Sequence, residues 1–357
     1  MKKIIFSVTA LILASTLALL AGCTGATPLT FNNAYNNKTE APVGYTETVT
    51  YTVTDKEYDN YKIDDEVTDE LLKFDFNGTA TTTLKVLGSI SDFNIETDLD
   101  FSGTGRNKYY YFKSELNLTA TYTTSGKVNG TPTDNGDGSK SFNDSIVSEA
   151  LFFMSGQSLS PIWSKTDAKY TYLTADNQAT LQVNVNVIEH TAQTIYNTTT
   201  YTIDKSYKTN DGEKVESTIT YAYVQKTAID SNALLFAVRN IEVSENSNYS
   251  MPAISPTYGL PKTLSVKNNG EKQLTLNATY NGVKIENKSV AVKDYTYAIS
   301  SDTNSGAQKY VAVQKSEITN LPNKALVIEY AEPLSIYGTF YCIGALVYTI
   351  NTITVTE

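Results

Sequence analysis

Stretches in which apolar and polar residues alternate constrain the fold of this chain more than any other feature. In residues 48–54, 116–122 and 181–187, Val, Leu, Tyr or Ala occupies every second position, and Thr, Asn or Gln occupies the positions between them. A period of two residues gives a strand one face toward a core and one toward water. Long strands of this kind belong to antiparallel sheets. The sequence therefore predicts a mainly β fold, with a large, antiparallel, curved sheet of half-barrel or sandwich-like form and one short buried helix.

The length and charge of the chain limit what such a sheet can do. The 357 residues suffice for one large β domain or two ordinary ones. Residues 45–357 are predicted to form a single β-rich domain, and three prolines within residues 245–262 leave a subdivision there open. A net charge of −10 without a basic cluster argues against nucleic acid as a partner. The chain is expected to be a monomer.

Cysteine and histidine are too scarce for most catalytic or metal-binding designs. The chain has two cysteines, Cys23 and Cys342, and one histidine, His190. Cys342 lies among apolar residues and is interpreted as a small buried side chain rather than as a nucleophile. No serine motif accompanies His190 to indicate a catalytic triad. The sequence therefore predicts no enzymatic activity and no cofactor.

Three groups of acidic residues invite a functional interpretation, and a structural one is favoured for each. The acids within residues 55–70 suggest a calcium site, but their spacing matches no known loop, which favours a solvated loop. Residues 133–144 align partly with an EF-hand loop but end in Asp rather than Glu, which favours a glycine-rich turn. Asp98 and Asp100 share one face of the predicted strand 93–101, where a solvated face accounts for them without a glycosidase reaction. No metal site is predicted.

Residues 143–156 form the strongest helix candidate in the sequence. Asn143 or Asp144 can cap a helix there, and Gly156 can end it. Apolar residues recur at intervals of four and three, so most of the helix circumference is apolar and the helix must be buried. Residues 159–163, which hold the only tryptophan, are predicted to be a loop that crosses to the same core.

The apolar residues of this region are the candidate ligand-binding residues. One interpretation is that they line an apolar ligand cavity, and the other is that they pack in the core. The candidates are Leu151, Phe152, Phe153, Met154 and Trp163.

The N-terminal residues have the pattern of an export signal. Two lysines precede an apolar run at residues 4–20, which is followed by Ala-Gly-Cys. Residues 20–23, Leu-Ala-Gly-Cys, resemble the lipobox of bacterial lipoproteins. An uncleaved transmembrane anchor fits less well, because the run is shorter than the roughly 20 apolar residues of a spanning helix and contains serine and threonine.

The lipobox resemblance implies how the chain is held in the cell envelope. Residues 1–22 would be a signal peptide, the sulfur of Cys23 would carry a diacylglycerol with acyl chains such as palmitate, and residues 23–44 would be a flexible tether. Two acyl chains hold a protein on a bilayer stably, whereas one does not. The expected location is the extracytoplasmic face of a cell membrane, with the membrane as partner through the lipid on Cys23.

Two functions from different classes agree with these observations. A curved sheet with an apolar helix on its inner side resembles, in outline, the half-barrel lipoproteins and their periplasmic partners that carry lipid or lipoprotein acyl chains. That resemblance implies a non-enzymatic binding module for an apolar or lipid-like ligand. The alternative is a structural or adhesive surface protein that binds a glycan or a protein partner through exposed Tyr and Asn side chains.

Replacement of Cys23 tests the predicted anchor. Cys23→Ser removes the sulfur that would be alkylated, so we expect the protein to leave the membrane fraction and appear in the medium or periplasm. The measurement is an immunoblot of fractionated cells, with Cys342→Ser as the matched control that should stay with the membrane. Retention of the Cys23→Ser chain on the membrane would contradict the lipobox interpretation.

Overall fold

A computed structural model of the chain contains one sheet of 16 strands, numbered here β1–β16 in chain order. The structure describes residues 41–57, 72–101, 108–124, 128–129, 139–155, 158–175, 183–208, 212–223, 228–239, 243–256, 259–299, 309–315, 326–335 and 342–356. The strands are β1 Thr46–Glu57, β2 Leu72–Leu87, β3 Tyr109–Thr124, β4 Val128–Asn129, β5 Ser139–Ser155, β6 Ser158–Ala175, β7 Val183–Tyr196, β8 Thr200–Lys208, β9 Lys214–Ala222, β10 Ile229–Asp230, β11 Asn248–Ile254, β12 Lys262–Tyr280, β13 Val283–Ile299, β14 Lys309–Gln314, β15 Val327–Ser335 and β16 Cys342–Thr356.

The prediction of a mainly β fold with a large antiparallel sheet is confirmed. The strands follow one path, β10-β11-β12-β13-β14-β15-β16-β1-β2-β3-β5-β6-β7-β8-β9, and β4 pairs with β7 beside it. Nearly all neighbours are antiparallel; the parallel contacts are β10 with β11, β4 with β7, and a short one between β12 and β16. In that last contact Thr279 and Tyr280 lie opposite Thr352 and Ile353, so the strands from β12 to β16 form a closed ring.

The sheet also closes between β10 and β6, but there side-chain hydrogen bonds join the two strands in place of a backbone ladder. Asp230 accepts a hydrogen bond from the Ser164 hydroxyl at 2.6 Å. The side-chain amide of Asn232 donates to the carbonyl oxygens of Lys165 at 2.9 Å and Glu149 at 3.2 Å. Since β10 is the first strand of the path, these bonds fasten one end of the sheet to β6. Strands β7, β8 and β9 continue past this closure, and we call them the wing.

A short helix fills the interior of the closed sheet. Helix α1, Leu234–Arg239, follows a 3-10 turn at Ser231–Ala233. The Phe236 ring lies 5.1 Å from the Phe152 ring and 6.1 Å from those of Tyr110 and Phe112, centroid to centroid. These residues belong to the main core, a cluster that also takes in the inward faces of β1, β2 and β11–β16. Residues 234–238 are a continuous apolar run, which by itself predicts burial, and they form the helix of the fold together with Arg239.

The end of α1 is held to β1 by a buried ion pair. The Arg239 guanidinium donates to both carboxylate oxygens of Glu47, at 2.5 and 3.0 Å. The Tyr45 hydroxyl donates to the same carboxylate at 3.0 Å. Both charged groups are buried. A bidentate contact of this kind fixes the position of the helix against the strand and also neutralises the two buried charges.

The helix predicted at residues 143–156 is wrong, because residues 143–155 belong to β5. Apolar side chains appear at both helical intervals because both faces of β5 are covered at this end. Ala150 and Phe152 face the main core, and Leu151 and Phe153 face a second cluster on the other side of the sheet. A strand that is buried on both faces has a continuous apolar run, which periodicity cannot distinguish from a buried helix.

Two further predictions along the chain are wrong. Residues 159–163 are not a crossing loop but part of β6, which returns directly from β5 as a hairpin. Residues 93–101 alternate in burial as expected, yet they lie outside the ladders, in a 3-10 turn at Ser91–Phe93 followed by extended chain. The sequence also permits a short helix over residues 65–73; residues 72–73 belong to β2 instead, and the rest lie outside the described residues.

Asp211-Gly212, Asn269-Gly270 and Asn281-Gly282 predict tight turns, and a change of apolar parity at Asn351-Thr352 predicts a bulge. The structure agrees with these predictions at three places and differs at one. Asn281-Gly282 makes the two-residue turn between β12 and β13, with both residues at positive φ. Asn351 is the bulge predicted from the parity change in β16, since Thr50 pairs with Thr352 but Tyr51 with Ile350. Gly212, also at positive φ, precedes β9. Asn269-Gly270, expected to be a turn, is instead a bulge within β12.

Breaking the buried ion pair should destabilise the protein far more than breaking an exposed one. Arg239→Met leaves the Glu47 carboxylate buried without its counter-charge, and we expect a loss of roughly 3–5 kcal/mol in the free energy of unfolding. Lys113→Met removes the solvent-accessible Lys113–Glu115 pair and should cost less than about 1 kcal/mol. Urea unfolding followed by circular dichroism measures both changes. Equal effects of the two substitutions would contradict a structural role for the Arg239 contact.

Candidate functional site

The strongest candidate site is an apolar cluster on the face of the sheet opposite the main core. Its five buried members, Tyr109, Tyr111, Leu151, Phe153 and Ile162, come from β3, β5 and β6, and we call them the second-face cluster. A strand turns successive side chains to opposite faces, so the neighbours of these residues in β3 and β5 face the main core. The sheet is therefore apolar on both sides at this end.

A bulge in β6 enlarges the apolar area of this face. Leu151 pairs with Trp163 and Phe152 pairs with Pro161, so Ile162 is the extra residue. The inserted residue places Ile162 and Trp163 on the same side, next to Leu151 and Phe153. Trp163 remains half-exposed at the border of the cluster.

A segment without ladder hydrogen bonds covers the second-face cluster. We call residues 90–101 the strap. Its apolar side chains pack against the cluster while its polar side chains, except that of Thr97, point to solvent, which accounts for the alternation in the sequence. The Phe93 ring lies 5.3 Å from the Tyr111 ring and 6.1 Å from the Trp163 ring system. The Phe101 ring lies 6.1 Å from that of Phe153. The apolar strap residues are all half-buried: Ile90, Phe93, Ile95, Leu99 and Phe101.

Polar contacts attach the strap to the turn between β7 and β8. The Thr97 hydroxyl donates to the carbonyl oxygen of Tyr196 at 2.6 Å. The Asp98 carboxylate accepts from the backbone N–H of Thr198 at 2.6 Å, and the Asp98 N–H donates to the side-chain oxygen of Asn197 at 3.0 Å. Asp98 thus serves as a structural acceptor. The strap makes no ladder bonds and its apolar side chains are only half-buried, which is typical of a segment that opens before the rest of a structure does.

Of the five predicted ligand-binding residues, the structure brings three together. Leu151, Phe153 and Trp163 belong to or border the second-face cluster. Phe152 faces the opposite way, where its ring stacks on that of Tyr110 at 5.8 Å in the main core. The side chain of Met154 lies outside the described residues. The sequence interpretation missed Tyr109, Tyr111 and Ile162, although the alternation in residues 93–101 signalled that an apolar surface must lie under them.

The other sequence candidates do not form a site in the described part of the chain. Asp144 is buried, and its carboxylate accepts from the Thr171 hydroxyl at 2.7 Å. His190 is buried in mid-strand, stacked on Tyr207 at 4.6 Å, and desolvation lowers its pKa. Among the described residues, no three His, Cys, Asp or Glu side chains are grouped to hold a metal ion. Cys23, the side chain of Cys342 and residues 133–138 lie outside the described residues.

A buried carboxyl group lies beside the closure of the sheet, under a cluster of tyrosines. Besides the Ser164 hydroxyl, the Tyr196 hydroxyl donates to Asp230, at 2.5 Å, and so does the backbone N–H of Asn232, at 2.8 Å. Burial raises the pKa of Asp230 above its ordinary value of 3.8, and the three hydrogen bonds offset this only in part. The Tyr223 hydroxyl, whose pKa burial also raises, has no hydrogen-bond partner among the described residues.

The comparisons with known proteins find a likeness among solved structures but none among families or curated sequences. Neither a protein-family model nor a curated protein sequence matches the chain. Among solved structures, the chain is similar to the crystal structure of a beta-barrel-like protein of domain of unknown function DUF1849 from Brucella abortus. The TM-score is 0.42 at 8% sequence identity, and the match covers 89% of this chain and 100% of the other. In the described part of the chain, no helix has the length and apolar character to cross a bilayer.

The buried Asp230 predicts a pH dependence of stability. Because the folded state raises its pKa, the folded protein binds this proton more tightly than the unfolded chain does. The resulting stabilisation is full below the ordinary pKa of 3.8 and is lost as the pH rises through the raised value. Asp230→Asn removes the titration and keeps a hydrogen-bond acceptor, so its unfolding free energy should fall less steeply with pH.

Urea unfolding at a series of pH values from about 4 upward measures this slope. Asp144, whose pKa burial also raises, adds a change of the same sign, so Asp230→Asn should flatten the slope only in part. The exposed acid Asp92 supplies the control, Asp92→Asn, which should keep the slope of the parent protein. If the unfolding free energy of Asp230→Asn changed with pH as steeply as that of the parent, Asp230 would have the same pKa in the folded and unfolded states.

Proposed function

We propose that the protein is an extracytoplasmic lipoprotein that binds an apolar, lipid-like ligand without catalysing a reaction. The lipid on Cys23 would hold it at the membrane, and the ligand would occupy the second-face cluster in place of the strap. The observation that carries the proposal is that a continuous apolar surface lies outside the main core and under a segment without ladder bonds. Exposed apolar patches of a monomer commonly mark interaction sites, and a removable cover keeps one from aggregating.

The contacts of the strap describe the ligand that would replace it. Phe93, Ile95, Leu99 and Phe101 contribute only apolar surface to the cluster, so the matching ligand is an extended hydrocarbon such as an acyl chain. Each CH₂ group of that chain contributes about 0.8 kcal/mol on burial. The ammonium group of Lys85 lies 6.0 Å from the centre of the Tyr111 ring, at the border of the cluster. A cation there favours a carboxylate or phosphate head group on the ligand.

The alternative is a surface protein that binds a protein partner, and the wing is the observation that favours it. All side chains from Lys214 to Thr220 of β9 are exposed, so both faces of this strand meet solvent. An edge strand of this kind suits recognition by strand addition. Binding of a glycan, the other form of this alternative, has less support, because the described tyrosines are buried or half-buried rather than arranged as an exposed row.

Trp163 reports directly on the proposed ligand site, because it is the only tryptophan and contacts the strap. Oleate, added below its micelle concentration to the purified protein, should displace Phe93 and shift the Trp163 emission in a saturable manner. Asp98→Ala removes the carboxylate that accepts from Thr198, so the strap opens more easily. A bond of this kind, discounted for exposure, is worth about 1 kcal/mol, so oleate should bind roughly fivefold more tightly.

Asp92→Ala is the matched control, since Asp92 is an exposed acid of the same strap that precedes the polar attachment. Its affinity for oleate should equal that of the parent protein. Native mass spectrometry of protein extracted gently from membranes gives an independent result, an added mass that organic solvent removes. An unchanged Trp163 emission together with a mass free of ligand would refute the carrier proposal and favour the surface-binding alternative.

A further inference from the structure

The outer edge of β9 is the terminal edge of the wing, and no other strand pairs with it among the described residues. β9 pairs with β8 over its whole length without a bulge. Val215 is 58% exposed and Ile219 is 41% exposed, which makes them two of the large apolar side chains that the protein leaves in water. Natural edge strands are usually shortened, bulged, covered or interrupted by proline, and β9 has none of the last three protections.

We infer that this edge pairs with β9 of a second copy of the chain, antiparallel, about a two-fold axis through Ser217. In this register Val215 of one copy lies opposite Ile219 of the other, and the symmetry repeats the pair on the far side of the axis. Residues 215, 217 and 219 share one face of the strand, so both exposed apolar side chains of each copy are covered at once. Cross-strand pairs of β-branched residues stabilise a sheet, and an isologous contact of this kind closes as a dimer.

The contact would continue an apolar surface that already exists within each copy. Ile219 lies opposite Ile203 of the neighbouring strand β8. Ile203 is fully buried in a cluster with Tyr196, Tyr201 and Tyr223. The cluster therefore ends at Ile219, where the sheet ends. A second copy of β9 would extend this face by another strand and bury the side chain that now borders water.

The charges of β9 allow the pairing but weaken it. The two Glu216 side chains would lie diagonally across the axis from each other, and each forms an ion pair with Lys214 of its own strand. Like charges that already have partners repel only weakly in water. In this register residue 214 lies opposite residue 220, so the paired part of β9 has 7 residues from each copy, 214–220, which is less contact than a standard stable interface provides. The dimer should therefore be weak in dilute solution and form most readily where the chain is concentrated.

Disulfide formation in the full-length chain tests both the partner and the register. In Ser217→Cys the two new side chains face each other across the axis, about 4.5–5.5 Å apart at Cβ, within reach of a disulfide after a small adjustment. In Thr220→Cys, at an equally exposed position, the symmetry-related residues are six positions apart along the paired strands, about 20 Å. Mild oxidation of intact cells, followed by a non-reducing gel, should give a band of twice the chain mass for position 217 alone.

A third variant shows whether the crosslink depends on the apolar pair. Ile219→Lys places a charge on the edge, and in the Ser217→Cys background it should abolish the dimer band. The parent chain, with its natural cysteines, sets the background. The inference would be overturned if Ser217→Cys ran only as a monomer, or if Ser217→Cys and Thr220→Cys crosslinked equally. A band of another mass would also overturn it, because it would reveal a different protein at the edge. This inference is independent of the apolar ligand, because the variants leave the strap unchanged.

Discussion

Residues 228–239 hold the whole sheet in its closed form. A sheet that curves back on itself needs a contact where it closes and side chains that fill its interior, and this one segment contributes to both. Asp230 and Asn232 fasten the first strand of the path to β5 and β6 through side-chain bonds. A few residues later Phe236 fills the interior, and Arg239 joins the helix to Glu47 of β1. Because the ladder is interrupted at the closure, the geometry there depends on buried polar groups that each have a defined partner.

The closure also explains why the sheet has an apolar surface on its second face. When the strands curve around the helix, only the inward face of the sheet contacts the main core. At the end of β3, β5 and β6, the other face carries Tyr111, Leu151 and Phe153, which need a cover of their own. The strap provides it with half-buried apolar side chains and a polar attachment at Asp98. The protein therefore has two apolar layers of different character, one enclosed by the strands and one covered by a segment that makes no ladder bonds.

The sequence allowed the fold class to be predicted but not the location of the helix. Alternation in 116–122 and the parity change at Asn351 are local signals, and both correspond to the observed strand and bulge. Residues 150–154 and 234–238 are both continuous apolar runs, and only their tertiary surroundings decide that the first belongs to a strand between two covered faces and the second to a helix. That error carried over to the site. Successive side chains of a strand alternate between two opposite faces, so on β5 Phe152 points away from Leu151 and Phe153.

The strap connects the proposed ligand site with the wing. Leu99 contacts both the second-face cluster and the tyrosine cluster at the base of the wing. Thr97 and Asp98 hold the same segment to the turn between β7 and β8, which positions the strands of the wing. A ligand that displaces the strap must therefore break contacts at the base of β8, next to the strand that carries the free edge. If ligand binding changes the free energy of pairing at β9, pairing at β9 must change the free energy of ligand binding by the same amount. Coupling between two binding events is reciprocal. The position of Leu99 thus makes the strap the structural element through which an occupied apolar face and a paired edge would influence each other.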